Sequence, residues 1–533
     1  MKQTLTLFLL FASASFFTAF SQNWTNLHQW GGAGTEICGG LAIDADGAIF
    51  LAGSFENQIT FGDQTLTALG EEDIFICKLA PDGTLIWAKR AGSRLEDEVT
   101  GISLDADHNL VVVGTYWLEG DFDQLKLNAS ANPKAVFIAK YNAEGQVQWA
   151  KSGNGAGLKG VEAVAIDKEN NIFITGYFEK NLQIADTSLS ASGTTDLLLA
   201  KFSSDGQLRW IIHQGKKGDT RGTALGLTTG GDVIVAGYFN DTTQIADTLL
   251  TANTLDQDAF IARFDKNGMP LWAKKAGGVF DSDVTGLVID ETDHIYLSGY
   301  FVGTMRLSMA LSIQSSSGNS DFFLLKYDIN GTPLLARALG GTKLDQALDI
   351  AIQNNILLVS GFYQGDLTLD RFSFSTGNTI SGFVAGFDSD LQCQWAKNLT
   401  SNDALYASRI AAASNGNIAV AGSFIEKATL DTLEIRSENN FNLFLASRQT
   451  GATDVTEAEK EALFHVFPNP TAGKLFIQTT EPHFSLQVFN AAGQTVFTGT
   501  QLREVDFSSF PKGTYILSFQ GNFISQAFKI IWN

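Results

Sequence analysis

A short motif, a glycine followed by two small or aromatic residues, recurs through this chain at an almost constant spacing. It reads Gly53-Ser54-Phe55, Gly114-Thr115-Tyr116, Gly176-Tyr177-Phe178, Gly237-Tyr238-Phe239, Gly299-Tyr300-Phe301, Gly361-Phe362-Tyr363 and Gly422-Ser423-Phe424. Successive glycines stand 61, 62, 61, 62, 62 and 61 residues apart. A fixed period of this length means that one supersecondary unit is copied, each copy burying its apolar face against the next. A second marker keeps phase with the first: Trp87-Ala88-Lys89, Trp149-Ala150-Lys151, Trp272-Ala273-Lys274 and Trp395-Ala396-Lys397, each tryptophan 27 residues before the next glycine. Trp210 keeps that spacing before Ile211, and Leu335 replaces the indole in Leu335-Ala336-Arg337. An indole buries so much area that this column predicts packing between copies.

Each copy reads as four main strands. In the third they fall at Val161–Asp167, Asn171–Phe178, Leu197–Phe202 and Gln207–Trp210. Asp46-Gly47, Asp82-Gly83, Asp205-Gly206, Asn267-Gly268 and Asn330-Gly331 carry the chemistry of two-residue hairpins, which need positive φ. The longer stretch Asn181–Thr195 has room for an extra hairpin arm. Four antiparallel strands in seven copies predict a seven-bladed β-propeller over residues 22–448, all-β, its blades set around a channel. The seventh copy ends at its third strand, Phe441–Arg448, whereas Trp24 and Trp30 precede the first copy. Residues 23–30 are therefore expected to supply the missing outer strand and close the ring. Gly40, Gly101, Ala163, Ala224 and Gly286 occupy equivalent places in the first strand, where converging blades leave little room; Asp349 and Ile410 break that pattern.

Composition agrees with a β-rich exported protein. The 52 glycines far outnumber the 8 prolines, and 40 phenylalanines favour strands. A net charge of −21 disfavours nucleic acid and anionic membranes, which need clustered Lys and Arg. Lys2, the apolar run Leu5 to Phe20 and the small residues of Ala19-Phe20-Ser21 read as a secretory signal over residues 1–21. The run is short for a membrane anchor and is interrupted by Ser and Thr, and no later stretch is apolar enough to span a bilayer. Cys38, Cys77 and Cys393 have no disulfide or metal spacing and are expected to be buried apolar residues.

The repeat resembles that of the bacterial SBBP-type β-propeller family. The resemblance is carried by Gly277-Gly278-Val279-Phe280-Asp281-Ser282-Asp283-Val284-Thr285-Gly286-Leu287-Val288-Ile289-Asp290 and by His294-Ile295-Tyr296-Leu297-Ser298-Gly299-Tyr300-Phe301. It extends over about residues 24–450 and implies an exported binding or surface protein with no shared activity. Beyond a polar linker, 449–462, residues 463–533 read as a small β-sandwich with strands at Lys474–Gln478, Ser485–Asn490, Gln494–Thr498, Gly513–Phe519 and Ala527–Trp532. This segment resembles the type A sorting domain of the type IX secretion system of Bacteroidota. The matching elements are Phe467-Pro468-Asn469-Pro470, Val488-Phe489-Asn490-Ala491-Ala492-Gly493-Gln494, Pro511-Lys512-Gly513-Thr514-Tyr515 and Phe528-Lys529-Ile530-Ile531. The resemblance implies engagement of the type IX machinery, passage through the periplasm and outer membrane, and residence on the cell surface or outside it.

No catalytic spacing stands out. The six histidines form no paired metal motif, and no phosphate loop or nucleophile elbow is present. Aligning the first strands puts Glu36, Asp97 and Asp345 in one column at the expected channel mouth, with Lys159, Thr220, Ser282 and Tyr406 in the other copies and Asp281 and Asp283 beside Ser282. Such a mixed ring suits a sugar or a cation, or an acid/base pair for glycoside cleavage; solvated loop acids capping strand ends are the plain alternative. Asp73, Asp196, Asp258 and Asp321 precede third strands, as turn caps do. Asp44-Ala45-Asp46-Gly47 and Asp105-Ala106-Asp107 resemble calcium loops without the distal Glu. The nearly equal copy lengths leave no lid or cleft, which favours a non-enzymatic scaffold, without cofactor, that binds glycan or protein. A polysaccharide-acting hydrolase or lyase is the alternative.

Overall fold

The computed structural model describes residues 24–448 apart from 130–133, 253–255, 279, 317–318 and 438–439, and residues 464–532 apart from 468–470, 472, 480–483, 491–493 and 522–524. The signal 1–21, the linker 449–462, Pro468, Asn469, Pro470 and Gly493 lie outside the described residues. The described chain is all-β: no helix occurs among these residues, and so none long and apolar enough to cross a membrane. It divides into two compact units, 1–451 and 452–533.

The larger unit repeats one four-stranded antiparallel sheet. In the first copy the strands are Glu36–Ile43, Ile49–Phe55, Asp73–Leu79 and Leu85–Ala91, in spatial as well as chain order. In the third they are Lys159–Ile166, Ile172–Phe178, Asp196–Phe202 and Leu208–Gln214. The first strands lie side by side in chain order, and Leu405–Ala412, the last of them, packs against Glu36–Ile43. The arrangement is propeller-like. Asn26–Trp30 pairs antiparallel with Asn442–Arg448, so the N-terminal segment supplies the fourth strand that the last copy lacks. Second and third strands are almost wholly buried, because sheets stacked face to face cover both sides; Phe50, Phe75, Phe137 and Phe173 have no exposure.

Two details differ from the sequence reading. The hairpins are not two-residue turns with two positive φ angles. Gly47 (φ +89°) donates to Asp44 O and Asp44 N to Ala48 O, so only the glycine enters the left-handed region. His108, Asn170 and Asp293 take that conformation in copies without the glycine. The extra arms do form, and some cross to the preceding sheet: Asn181–Ile184 pairs with Val147–Asn154 of the second copy.

The tryptophans clamp one sheet to the next. Trp87, Trp149, Trp210 and Trp272 donate through Nε1 to Ala143, Ser204, Lys266 and Ile329 carbonyls of the following copy, at 3.0–3.2 Å. Each indole covers the left-handed glycine of that hairpin; a Cβ on Gly206 would stand 2.8 Å from the Trp149 ring. Trp149→Ala is expected to cost about 2 kcal/mol, from lost packing and one hydrogen bond. Gly206→Ala is expected to cost as much in the native background and about 1 kcal/mol in the Trp149→Ala background, where only the φ strain remains. A double-mutant cycle in urea measures the difference, and additive costs would contradict the clamp.

The smaller unit has two sheets. Phe464–Phe467, Lys474–Thr479 and Glu504–Asp506 form one; Thr495–Thr500, Phe484–Phe489, Gly513–Gly521 and Ser525–Trp532 form the other. Leu475, Ile477, Leu486, Val488, Leu517 and Phe519 share its core. Tyr515 is buried there and donates to Pro511 O at 2.5 Å. Gly513 starts the strand that carries Tyr515, and Lys529 lies in the partner strand.

Candidate functional site

Every first strand of the larger unit is broken at the same point by a β-bulge, between Cys38/Gly40, Val99/Gly101, Val161/Ala163, Gly222/Ala224, Val284/Gly286, Ala347/Asp349 and Tyr406/Arg409. A bulge adds a residue to one strand and re-aims the side chains around it. Here the extra residues, among them Thr100, Glu162, Thr223, Thr285 and Ser408, line a cavity of about 580 Å³ together with the small residues that follow them. Gly40, Gly101, Ala163, Ala224, Gly286, Asp349 and Ile410 are all in its wall, as their equivalence in sequence implied. Thr285 Oγ1 donates to Ala347 O of the next first strand at 2.8 Å, and Thr100 and Thr223 reach Val161 O and Val284 O in the same way. Gly39 holds this place in the first copy, where a Cβ would collide with Val99 O.

The cavity is acidic. Glu98, Glu162, Asp283 and Asp349 line it against one arginine, Arg409. Arg409 donates to Gly39 O (3.0 Å), Ser408 O (3.0 Å) and Thr100 O (3.3 Å), and Asp349 accepts from Ile410 N at 2.9 Å. Above them Arg221 lies 4.0 Å from the centre of the Tyr177 ring and 5.7 Å from that of Tyr238. Burial, with Glu162 adding to it, pushes the Asp283 carboxyl up to about 7 against the opposing pull of Val284 N, Arg221 and Thr223. Burial also raises Glu162, helped by Glu98 and opposed by Arg221, Arg409 and Lys134. A polar, enclosed site of this kind favours ligands that bring positive charge or hydrogen-bond donors.

Of the four acids singled out in the sequence, only Asp283 lines the cavity. Glu36 and Asp345 start their strands and Asp97 immediately precedes one, but their side chains are closed off from solvent, at 0, 0 and 1% exposure. They are neither solvated loop acids nor a ring at the mouth. Burial pushes Glu36 and Asp345 up to about 8 and Asp97 up to about 7. Asp97 accepts from Ser93 Oγ (2.9 Å) and Trp117 N (3.1 Å), and Asp345 from Gly341 N (2.7 Å). The column itself needs one correction: Leu405, paired with Phe424 as Glu36 is with Phe55, is the seventh member, and Tyr406 lies one place further on.

That neighbouring place also carries residues that sequence reasoning missed: Ile37, Glu98 and Arg221 share it with Asp283 and Tyr406, and their partners across the hairpin include Tyr238 and Tyr300. The available signal was the middle residue of the glycine motif, tyrosine in three successive copies, which strand propensity alone accounts for just as well.

The remaining acids are engaged elsewhere. Asp73, Asp196 and Asp258 cap loops and also pair with Arg90 (2.6 Å), His213 (2.7 Å) and Lys275 (2.6 Å); Asp321 accepts from Ser316 N and Oγ. Asp44, Asp46 and His108 come within 4.8 Å of one another. Asp44 is already used by Asp46 N, Ala48 N and His108 Nδ1, while Asp105 binds Lys140 at 2.7 Å. Calcium takes six to eight oxygen ligands, and the Asp44 turn offers two carboxylates beside one imidazole. Cys38, Cys77 and Cys393 are free and buried.

Comparison with known proteins bears on both units. Over 446 residues the chain is 24% identical to an uncharacterized WD repeat-containing protein, L264, of Acanthamoeba polyphaga mimivirus, covering 68% of this chain and 32% of that one. Over 258 residues it is 25% identical to the regulatory protein FlaEY of Caulobacter vibrioides, covering 44% and 26%. The chain thus spans about a third or less of these relatives. The crystal structure of Sqt1 from Chaetomium thermophilum aligns with 80% of this chain and all of its own at 7% identity and a TM-score of 0.40. Residues 465–533 match the family described as the secretion system C-terminal sorting domain. This tail engages the type IX secretion machinery, and the protein it belongs to is exported to the cell surface or the extracellular space.

Proposed function

We propose that the protein is a non-enzymatic, surface-bound or secreted scaffold of Bacteroidota that binds an extracellular ligand at the mouth of its central cavity. In this reading residues 22–448 are a closed seven-bladed β-propeller of the SBBP type, residues 1–21 are its Sec signal, and no metal or cofactor takes part. The observation that carries the reading is the pairing of a sorting tail with a concave, charged cavity. The tail directs export, and the cavity gathers charged side chains from several copies of the repeat in one concave place. Glycoside cleavage is the rival, with Glu162 and Asp283 as the acid and base. Against it stands the nearly equal length of the copies, which supplies no large insertion to wall a polymer cleft.

Truncation after residue 463 tests export. The shortened chain is expected to stay in the periplasm, folded, while the full chain reaches the surface or the medium; cell fractionation reads the outcome. Surface delivery of the truncated chain would refute the sorting role. Release of oligosaccharides from a polysaccharide panel by the full chain, lost on Glu162→Gln, would replace the scaffold with the hydrolase.

A further inference from the structure

We propose that the cavity mouth receives the lysine or arginine side chain of a polypeptide partner, whose surface packs on the apolar rim around it. This rests on ligand binding at the mouth, as proposed above, and adds the class of ligand.

Charge is the first argument. Counting Arg221 and Lys134 with Arg409, four carboxylates meet three cationic groups, and Arg409 is committed to backbone carbonyls. Asp283 Oδ1 is buried without a hydrogen-bond partner, and so is Arg221 Nε. Buried polar atoms are rarely left so. A bound peptide supplies both missing partners: a cationic side chain donates to Asp283, and a backbone carbonyl accepts from Arg221.

The rim is the second. Ile37, Leu158, Phe280 and Leu344 are 47, 60, 52 and 43% exposed. Leu158 and Leu344 immediately precede first strands, Phe280 stands two residues before one, and Ile37 holds the same strand position as Glu98 and Asp283. All four therefore sit at the end of the sheets where the acids are. Exposed apolar groups beside a charged centre are surface that a partner covers, and once covered they keep water from the ion pair within. Sugars stack on open aromatic faces; Arg221 covers the Tyr177 face, and Phe280 is the one aromatic among these four rim residues.

The groups around Asp283 set the pH dependence: Glu162, Glu98, Arg221, Thr223 and the phenols of Tyr238 and Tyr300. A cation binds the ionised carboxylates, and burial holds Asp283 near 7 and Glu162 above its ordinary value. Affinity should therefore rise from pH 5.5 to 8.

Calorimetric titration of the full chain with Ac-Gly-Gly-Arg-Gly-Gly-NH2, its lysine and glutamine counterparts, a neutral cello-oligosaccharide and a chitosan oligomer tests the proposal. The arginine and lysine peptides are expected to bind, and their ratio tells which cation fits better. The glutamine peptide should bind about tenfold or more weakly, as loss of a charge-assisted hydrogen bond requires. Glu162→Gln and Asp283→Asn should each weaken the basic peptides about tenfold and flatten the pH profile, with the thermal midpoint unchanged or raised. Glu119→Gln, on an exposed hairpin, should change neither. Binding of either oligosaccharide in place of peptides, sensitive to the same variants, would overturn this proposal and leave ligand binding at the mouth standing. Peptide binding indifferent to the variants would overturn the assigned site. If no probe binds the folded chain, both readings fall.

Discussion

Asp345→Asn and Glu36→Gln are each expected to stabilise the protein by about 3 kcal/mol at pH 8.5 and to change little near pH 4. Both carboxyls are fully buried, Glu36 has neither oxygen hydrogen-bonded to a side chain or ordered partner, and Asp345 Oδ1 is likewise unpartnered. Asp321 adds negative charge beside Asp345, and Glu56 beside Glu36. The sign follows from linkage. These groups titrate near 8 in the folded protein and near 4 in the unfolded chain, so the folded state holds protons that the unfolded state has released. Their contribution is complete below about pH 4, declines as pH rises through the interval, and levels off above about 8. Asp97, pushed up to about 7, adds to the same slope. Urea unfolding of the wild type from pH 4 to 9 should therefore show falling stability, and the two substitutions should flatten the curve. Equal destabilisation by Asp345→Asn at every pH would mean that its carboxylate is satisfied and ionised. The effects at Asp345 and Asp321 are coupled, so the measured titration belongs to the pair.

Deleting residues 24–30 should act in the opposite direction and destabilise the protein strongly. Asn26–Trp30 pairs along its length with Leu443–Ser447, joining the two ends of the larger unit. Trp24 and Trp30 are 6 and 9% exposed, and Trp30 packs at 5.3 Å on Phe61. Burying two indoles contributes about 3 kcal/mol or more each when truncation to Ala is the measure. The deletion also bares the edge of Asn442–Arg448, an apolar strand open to pairing with another chain. A loss of about 5 kcal/mol or more, with aggregation at micromolar concentration, is expected by thermal melting and size-exclusion chromatography. His28 Nε2 also meets Asp82 O at 2.8 Å, so the segment ties the last sheet to the first as the tryptophans tie the others. A deleted chain that melts like the wild type would show that the ring does not need this strand.

Much of the fold was legible because its signals are local or periodic. The glycine motif, the four-strand plan of the third copy and the lone fourth strand at the N-terminus all follow from spacing, although the third copy's last strand runs to Gln214 and not to Trp210, and the hairpin glycines follow from φ. The tryptophan column was legible for the same reason, since the pairing of Trp149 with Gly206 recurs at Trp87, Trp210 and Trp272. The sorting tail was read from linear motifs, and residues 465–533 match such a domain.

The site was decided by tertiary structure. A bulge changes which face of the strand a residue occupies, so alternation counted along the sequence cannot say which acids reach the cavity. Glu162 reaches it as a bulge residue and Glu98 from the place beside the chosen column, whereas Glu36, Asp97 and Asp345 are sealed between sheets. The contact of Arg221 with Tyr177 joins neighbouring copies, and their approach depends on how sheets converge on the axis. Strand order and turn chemistry belong to short stretches of chain and are written there. Burial and electrostatic neighbourhood belong to residues about sixty positions apart, and only the packing of neighbouring copies brings those together.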